Sequence, residues 1–222
     1  MNDISIETSG LKKNYGKTNV PVLKGIDIRI PESSITAIVG KSGSGKTTLL
    51  NLLGGLDRPT SGIVRVFGKE ITGMKENELS RFRSENIGFV FQFFNLLPEL
   101  NGWENIVFPS AIVRRMIDEK YIKRIIDVME INQILEKLPD KMSGGEQRRI
   151  AISRALAGMP RLLLMDEPTG NLDEDTANKI IRLITDLKNE TNITIVLVTH
   201  DMDISKSADL VIRLKDGMCS NE

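Results

Sequence analysis

The sequence is short of most things that mark a special environment. It holds one cysteine, Cys219, in 222 residues, so no internal disulfide can form. A reducing compartment is compatible with that usage. It has no net charge, because 30 Lys and Arg balance 30 Asp and Glu. That balance gives no support to a nucleic-acid binder working by bulk charge. No apolar run approaches the ~20 residues that span a bilayer. The longest runs, residues 162–165 and 195–198, have the length of buried strands. The opening Met1-Asn2-Asp3-Ile4-Ser5 has neither a basic nor an apolar leader region, so a soluble, cytoplasmic chain is expected. Low-complexity tracts, internal repeats and long Gly/Ser/Pro linkers are missing as well.

What is present is ordinary globular material. Hydrophobic residues make up 40% and charged residues 27%, which excludes wholesale disorder and permits one core without staples. Residues 4–8, 25–30 and 35–39 read as strands, with a turn at Pro31-Glu32-Ser33-Ser34. A helix carrying Leu49, Leu50, Leu52 and Leu53 is expected after Gly45, stopping near Gly54-Gly55. Residues 63–67 read as another strand, ended by Gly68. Ile122, Ile125, Ile126 and Met129 fall at i, i+3, i+4 and i+7, and Ile152, Ala155, Leu156 and Met159 repeat the spacing on a later helix, which Pro160 is expected to end. Strand signals return at 162–165 and 193–198, around a helix burying Ala177, Ile180, Ile181, Ile184 and Leu187. Alternation of this kind predicts an α/β core with a largely parallel sheet. Residues 95–160 read as a helical insertion into it.

Three segments carry chemistry. Gly40-Lys41-Ser42-Gly43-Ser44-Gly45-Lys46-Thr47 fits G-x-x-x-x-G-K-[ST] without mismatch, between a buried strand and a helix. Its glycines let backbone N–H groups curl around phosphate oxygens. Lys46 can reach the β- and γ-phosphates, the Thr47 hydroxyl can ligate Mg²⁺, and the following helix points its positive end at the same place. Residues 162–167 form an apolar strand ending in Asp166 and Glu167. Asp166 sits where a P-loop protein needs a partner for Mg²⁺ and its waters, and Glu167 where it can orient or deprotonate a water. Ser143 precedes Gly144, Gly145 and Glu146 at the start of a helix. Ser143 and Glu146 fit a capping box, while the two glycines leave a bare, electropositive end that can hold an anion.

In this order, with the lone His200, the motifs resemble the nucleotide-binding subunit of ABC transporters, and the resemblance covers essentially the whole chain. Residues 55–62 (GLDRPTSG) and 91–98 (FQFFNLLP) look like the subgroup of macrolide exporters, lipoprotein-release ATPases and antimicrobial-peptide transport systems. It implies a P-loop NTPase core with an antiparallel β subdomain, residues 1–94 and 161–222, and a helical subdomain, 95–160. ATP and Mg²⁺ are the implied cofactors. Tyr15 matches the residue that stacks on adenine, Gln92 the glutamine that contacts Mg²⁺ and the attacking water, and Glu167 the catalytic base. His200 matches the switch histidine on the γ-phosphate. Ser143, Gly144 and Gly145 match the signature that closes over the nucleotide of the opposite subunit, and Asn171-Leu172-Asp173 the loop between the two sites. The nucleotide contacts implied are therefore Tyr15, Gly40, Lys41, Ser42, Gly43, Ser44, Gly45, Lys46, Thr47, Thr48, Asp166 and the three signature residues. Thr47, Gln92 and Asp166 are the implied metal set, and Glu167, His200 and Gln92 the catalytic one.

Lys41 stands where the subgroup often has proline, and Met142 where leucine is usual; neither supplies a catalytic side chain. The chain ends soon after His200, so no C-terminal regulatory domain is expected. Trp103 and Phe108 either face a membrane subunit or pack within the helical insertion. Arg114-Arg115 and Lys123-Arg124 read as a solvated helix face, and Cys219 as inert. The implied partners are a second copy of the chain and a membrane permease, on the cytoplasmic face of the cell membrane, with no nucleic acid. Three rivals remain. A soluble ABC ATPase acting on ribosomes or DNA usually has tandem cassettes or a long coiled coil. A P-loop kinase leaves Ser143-Gly144-Gly145 unexplained. A silent nucleotide-binding regulator has no need of Glu167 and His200.

Overall fold

In the computed structural model, residues 3–16, 18–112, 116–170, 174–200, 205 and 207–220 are described. Two sheets organise them. The first is antiparallel and built on β1 (Ile4–Tyr15), which pairs with β2 (Val20–Ile26), β3 (Arg29–Pro31) and β5 (Ser61–Val66); β6 (Lys69–Glu70) adds to β5. The run expected over 25–30 is thus broken. Residues 11–15 of β1 face β2, residues 4–7 face β3, and the gap at Asp27-Ile28 lies opposite Gly10. Gly10 has a left-handed φ of 52°, and its N–H donates to the Asp27 carboxylate at 2.6 Å. Phe67 and Gly68 both take positive φ. They turn the chain into β6, which ends β5 at Val66 rather than Phe67.

The second sheet runs β11-β10-β4-β9-β8-β7, where β4 is Ile35–Val39, β7 Ile87–Val90, β8 Leu162–Asp166, β9 Thr194–Thr199, β10 Leu210–Lys215 and β11 Met218–Ser220. All neighbours are parallel except the closing hairpin β10–β11. Every residue of β4, β8 and β9 is buried, as expected of parallel strands covered on both faces. The pleat then sorts them. Ala37, Val39, Leu163, Met165, Ile195 and Leu197 enter one core. Ile38, Leu162, Leu164, Val196 and Val198 enter the other.

Helix α1 (Lys46–Leu53) buries Leu49, Leu52 and Leu53 between the sheets. Helix α2 (Glu76–Asn86) leads into β7. Helices α3 (Gly102–Ile112), α4 (Glu119–Val128) and α5 (Gly144–Ala157) lie in the chain between β7 and β8, with short 3₁₀ turns at Asn132–Ile134 and Pro139–Lys141. Their core is continuous with the sheet, because Ile106, Ile125, Ile150 and Leu156 share a cluster with Leu163 and Met165. Pro160 does not end α5. The helix stops at Gly158, and Met159 turns left-handed at φ 48°. Helix α6 (Glu174–Thr191) buries Ile180, Ile184 and Leu187. Trp103 is partly buried against the same core, and Phe108 stays 38% exposed. Arg114 and Arg115 lie outside the described residues.

Candidate nucleotide site

The loop at residues 40–47 closes between β4 and α1, and two glycines are fixed there by sterics. Gly45, capping α1, holds φ 101°, and a Cβ on it would come within 2.9 Å of Leu23. A Cβ on Gly40 would meet the Leu214 carbonyl at 2.2 Å. Lys46 is buried, and its Nζ donates to the carbonyls of Gly40 at 2.8 Å and Lys41 at 3.1 Å. The ammonium is therefore held over the loop, where phosphate oxygens can replace the carbonyls.

A cleft of about 800 Å³ opens above the loop. It gathers Ser42, Gly43, Gly45, Lys46, Thr47 and Thr48 with Tyr15, Gln92, Glu167 and His200, side chains drawn from four distant segments. Asp166 ends β8 beside them, 7% exposed, and its Oδ1 is buried without a partner. Burial raises its pKa, the neighbouring Glu167 charge adds to that, and a hydrogen bond with Thr47 and the Lys46 charge oppose it. An oxygen left bare in such a place suits a cation. With Thr47 and Gln92 it makes an all-oxygen set, the kind that Mg²⁺ takes beside phosphates. The residues fit the metal.

Glu167 follows with φ 49°, left-handed for a residue with a side chain, a conformation that persists only where the surroundings hold it. Its N–H donates to Val198 and its carbonyl accepts from Gly170. Its Oε2 lies 2.9 Å from His200 Nδ1. Arg148, on α5 and 3% exposed, grips the loop behind it, donating to the carbonyls of Pro168 at 2.9 Å and Gly170 at 2.7 Å. Burial lowers the Arg148 pKa, and the charge of Glu167 works the other way. The sequence reading missed Arg148. It lies four residues before Ile152, so the apolar stripe of α5 extended by one turn reaches it.

Ser143, Gly144 and Gly145 are not part of this cleft. They line a second one, of about 1120 Å³, with Gln92, Arg148 and Gly170. Gln92, Arg148 and Gly170 border both. The Ser143 hydroxyl accepts from the Glu146 N–H, and the Glu146 carboxylate accepts from the Ser143 N–H at 2.7 Å. The capping box thus uses those two amides and leaves the amides of Gly144 and Gly145 to the first turn, where helix donors have no partner within the helix. Asn171-Leu172-Asp173 lies outside the described residues. Cys219 is half-buried, and burial, reinforced by Asp27, pushes its thiol up to about 11. It stays protonated and unreactive at neutral pH.

Residues 23–170 match the family model described as ABC transporter. The chain is 44% identical to the macrolide export ATP-binding/permease protein MacB of Rhodopirellula baltica, over 98% of its own length and 33% of that protein. It is 41% identical to the lipoprotein-releasing system ATP-binding protein LolD of Hydrogenovibrio crunogenus, over 98% of its own length and 96% of that one. It therefore spans about a third of the MacB relatives and nearly all of the LolD relatives. Among solved structures, a dimeric bacterial ABC transporter cassette superposes with a TM-score of 0.91 at 38% identity, covering 97% of both chains. A dimeric ATP-binding cassette in a post-hydrolysis state, bound to ADP and Pi, superposes equally well at 36% identity.

Proposed function

The chain belongs to the ABC transporter family, and on that premise we propose that it is the ATP-hydrolysing subunit of a transport system. Two copies enclose two Mg-ATP, and a separate membrane permease uses the closing and opening to export or extract peptides, lipoproteins or drugs. The observation that carries this reading is the common cleft of Lys46, Thr47, Glu167 and His200, with Ser143, Gly144 and Gly145 turned to a different one. A signature that does not reach its own P-loop is available to the nucleotide of another subunit.

The chemistry follows from the side chains. Lys46 neutralises the β- and γ-phosphates as a point charge. Thr47, Gln92 and Asp166 would hold Mg²⁺, which would add neutralising charge beside the phosphate oxygens. Glu167 accepts the proton of the attacking water, and its left-handed backbone aims the carboxylate into the cleft. His200 bridges Glu167 and the γ-phosphate. Tyr15 offers its ring to the adenine. Residues 1–94 and 161–222 form the catalytic part and 95–160 the helical part.

Among the described residues no helix is long and apolar enough to cross a membrane, so the permease supplies the attachment, on the cytoplasmic face. Phe108, 38% exposed, and Ile112, 65% exposed, line a groove of about 370 Å³ and offer an apolar landing. The named relatives give a soluble ATPase acting on ribosomes or DNA no support. The test is phosphate release from Mg-ATP by the purified chain with no acceptor added, followed by identification of the membrane protein that co-purifies with it in detergent. ADP formation that depends on an added hydroxyl compound, with the phosphoryl group on that compound in place of free phosphate, would turn the reading to a kinase.

A further inference from the structure

The end of β1 is clasped to the loop that follows α1. The Tyr15 hydroxyl donates to Asp57 Oδ2 at 2.6 Å, and Lys13 Nζ donates to Asp57 Oδ1 at 2.7 Å and to the Arg58 carbonyl at 2.6 Å. Two backbone contacts lock the same pair of segments: the Asn14 N–H donates to Thr60 Oγ1 at 2.9 Å, and the Thr60 N–H to the Lys12 carbonyl at 2.9 Å. Lys13 and Tyr15 are two apart on a strand, so they share a face. The ammonium stands 4.7 Å from the centre of the Tyr15 ring, a cation–π distance.

We infer that Asp57 and Lys13 are positioning residues for the nucleotide base, fixing the plane of the Tyr15 ring and its distance from the phosphate loop. The inference rests on the proposed stacking of Tyr15 on adenine. Asp57 takes hold of the hydroxyl end of the ring, while Lys13, over the ring and bonded to the same carboxylate, fixes its tilt. Tyr15 is 41% exposed, and a ring so exposed would otherwise sample several rotamers and lose that freedom on binding. The clasp also ties the ring to the phosphates. The Leu56 N–H donates to the Asn51 carbonyl in the last turn of α1, and α1 starts at Lys46. A helix of that length is a strut of ~12 Å, with the phosphate loop at one end and the ring's anchor beyond the other. The anchor is ionised: burial works against the Asp57 carboxylate, but hydrogen bonds from Lys13, Tyr15 and the Arg58 amide outweigh it and hold its pKa below the ordinary value.

The test compares ATP with inorganic tripolyphosphate, which has phosphates and no base. Asp57→Ala and Lys13→Met should each weaken ATP binding by roughly five- to tenfold, as loss of preorganisation in one contact does. Tripolyphosphate binding should not change. KM for ATP should rise while kcat at saturation stays within about twofold. Because the two residues act as one unit, the double variant should lose no more than about the larger single loss. Tyr15→Phe, which keeps the ring and removes only the hydroxyl, should shift ATP binding in the same direction. Equal weakening of ATP and tripolyphosphate would overturn the inference, since the loop would then be disturbed as a whole. Unchanged ATP binding in Asp57→Ala would overturn it too. Tyr15→Ala separates the two levels. If it weakens ATP and Asp57→Ala does not, only the positioning fails; if Tyr15→Ala leaves ATP binding intact, the stacking role fails and the inference with it.

Discussion

His200 Nδ1 lies 2.9 Å from Glu167 Oε2, joining the end of β9 to the end of β8 across the nucleotide cleft. A carboxylate oxygen accepts, so Nδ1 is the donor where Glu167 faces it as a carboxylate. In the proposed reaction the pair acts as a unit, with the histidine orienting the base before water attacks the γ-phosphate. Glu167→Gln keeps the shape and removes the proton acceptor. ATP should bind and persist, the turnover rate should fall by roughly a hundredfold or more, and light scattering should show a shift from monomer to dimer mass when ATP is added. Adding Ser143→Arg should abolish that dimer while each monomer still binds ATP. Turnover at the wild-type rate in Glu167→Gln would refute the base, and a dimer indifferent to ATP and to Ser143→Arg would refute the shared site.

Lys46 Nζ donates to carbonyls of its own loop, at Gly40 and Lys41. Its replacement should therefore cost the fold little and nucleotide binding much. Lys46→Ala should keep a cooperative melt near the wild-type midpoint but lose the upward shift that saturating Mg-ATP gives by binding the folded state, ~2.7 kcal/mol at a hundredfold excess over Kd. Retention of the full shift would remove Lys46 from the site.

The parts of this chain legible in its sequence are those where contiguous residues do the work. The phosphate loop, the fully buried β4, β8 and β9 and the carboxylates at the end of β8 all declare themselves within eight residues. What escaped depended on distance or on a masked period. Helix α2 buries only Leu79 and Phe82, too few to make a stripe, and Glu78 secures its start by accepting from the Lys75 N–H. Helix α3 carries Pro109 in its interior and is apolar on most sides, so no periodicity marks it. The β10–β11 hairpin did leave a signal: Asp216-Gly217, both at positive φ, is the residue pair that a tight two-residue turn selects. Arg148 and Asp57 act on residues about twenty and forty positions away, and no local pattern announces such contacts.

Asn105 is fully buried in α3 and serves as a connector of the segment after Gln92. Its Oδ1 accepts from the Leu97 N–H at 2.8 Å, and its Nδ2 donates to the carbonyls of Leu97, Leu100 and Asn101. Asn105→Leu has similar volume but leaves the Leu97 N–H without its acceptor and the Leu100 carbonyl without the side-chain donor, while the carbonyls of Leu97 and Asn101 keep backbone partners. It should destabilise the protein by about 3 kcal/mol, far more than the loss of one hydrogen bond. Urea unfolding of the pair measures it, and a loss below about 1 kcal/mol would mean that water replaces the side chain.

Glu146 joins the fold of α5 to the surface proposed to meet the partner's nucleotide. Its carboxylate accepts first from the Ser143 N–H and then from Lys137, and these hold its pKa below the free value of 4.5 despite some desolvation. A group whose folded pKa is depressed stabilises the fold fully above the unfolded pKa, and that contribution is lost as pH falls through the folded value. Glu146→Gln keeps an oxygen for the Ser143 amide but has no charge for Lys137 and no titration. The difference in unfolding free energy between wild type and variant should therefore be constant from pH 7 down to about 5 and shrink as the pH drops below 4.5 toward the folded value. Lys137 is well exposed, so salt should narrow the gap at pH 7 as well. Gly144 and Gly145, whose amides the box does not use, should keep their place in the variant, and ATP-dependent dimers should still form at neutral pH. A gap that stays the same from pH 7 to pH 3 would show that the carboxylate charge contributes nothing to the start of the helix.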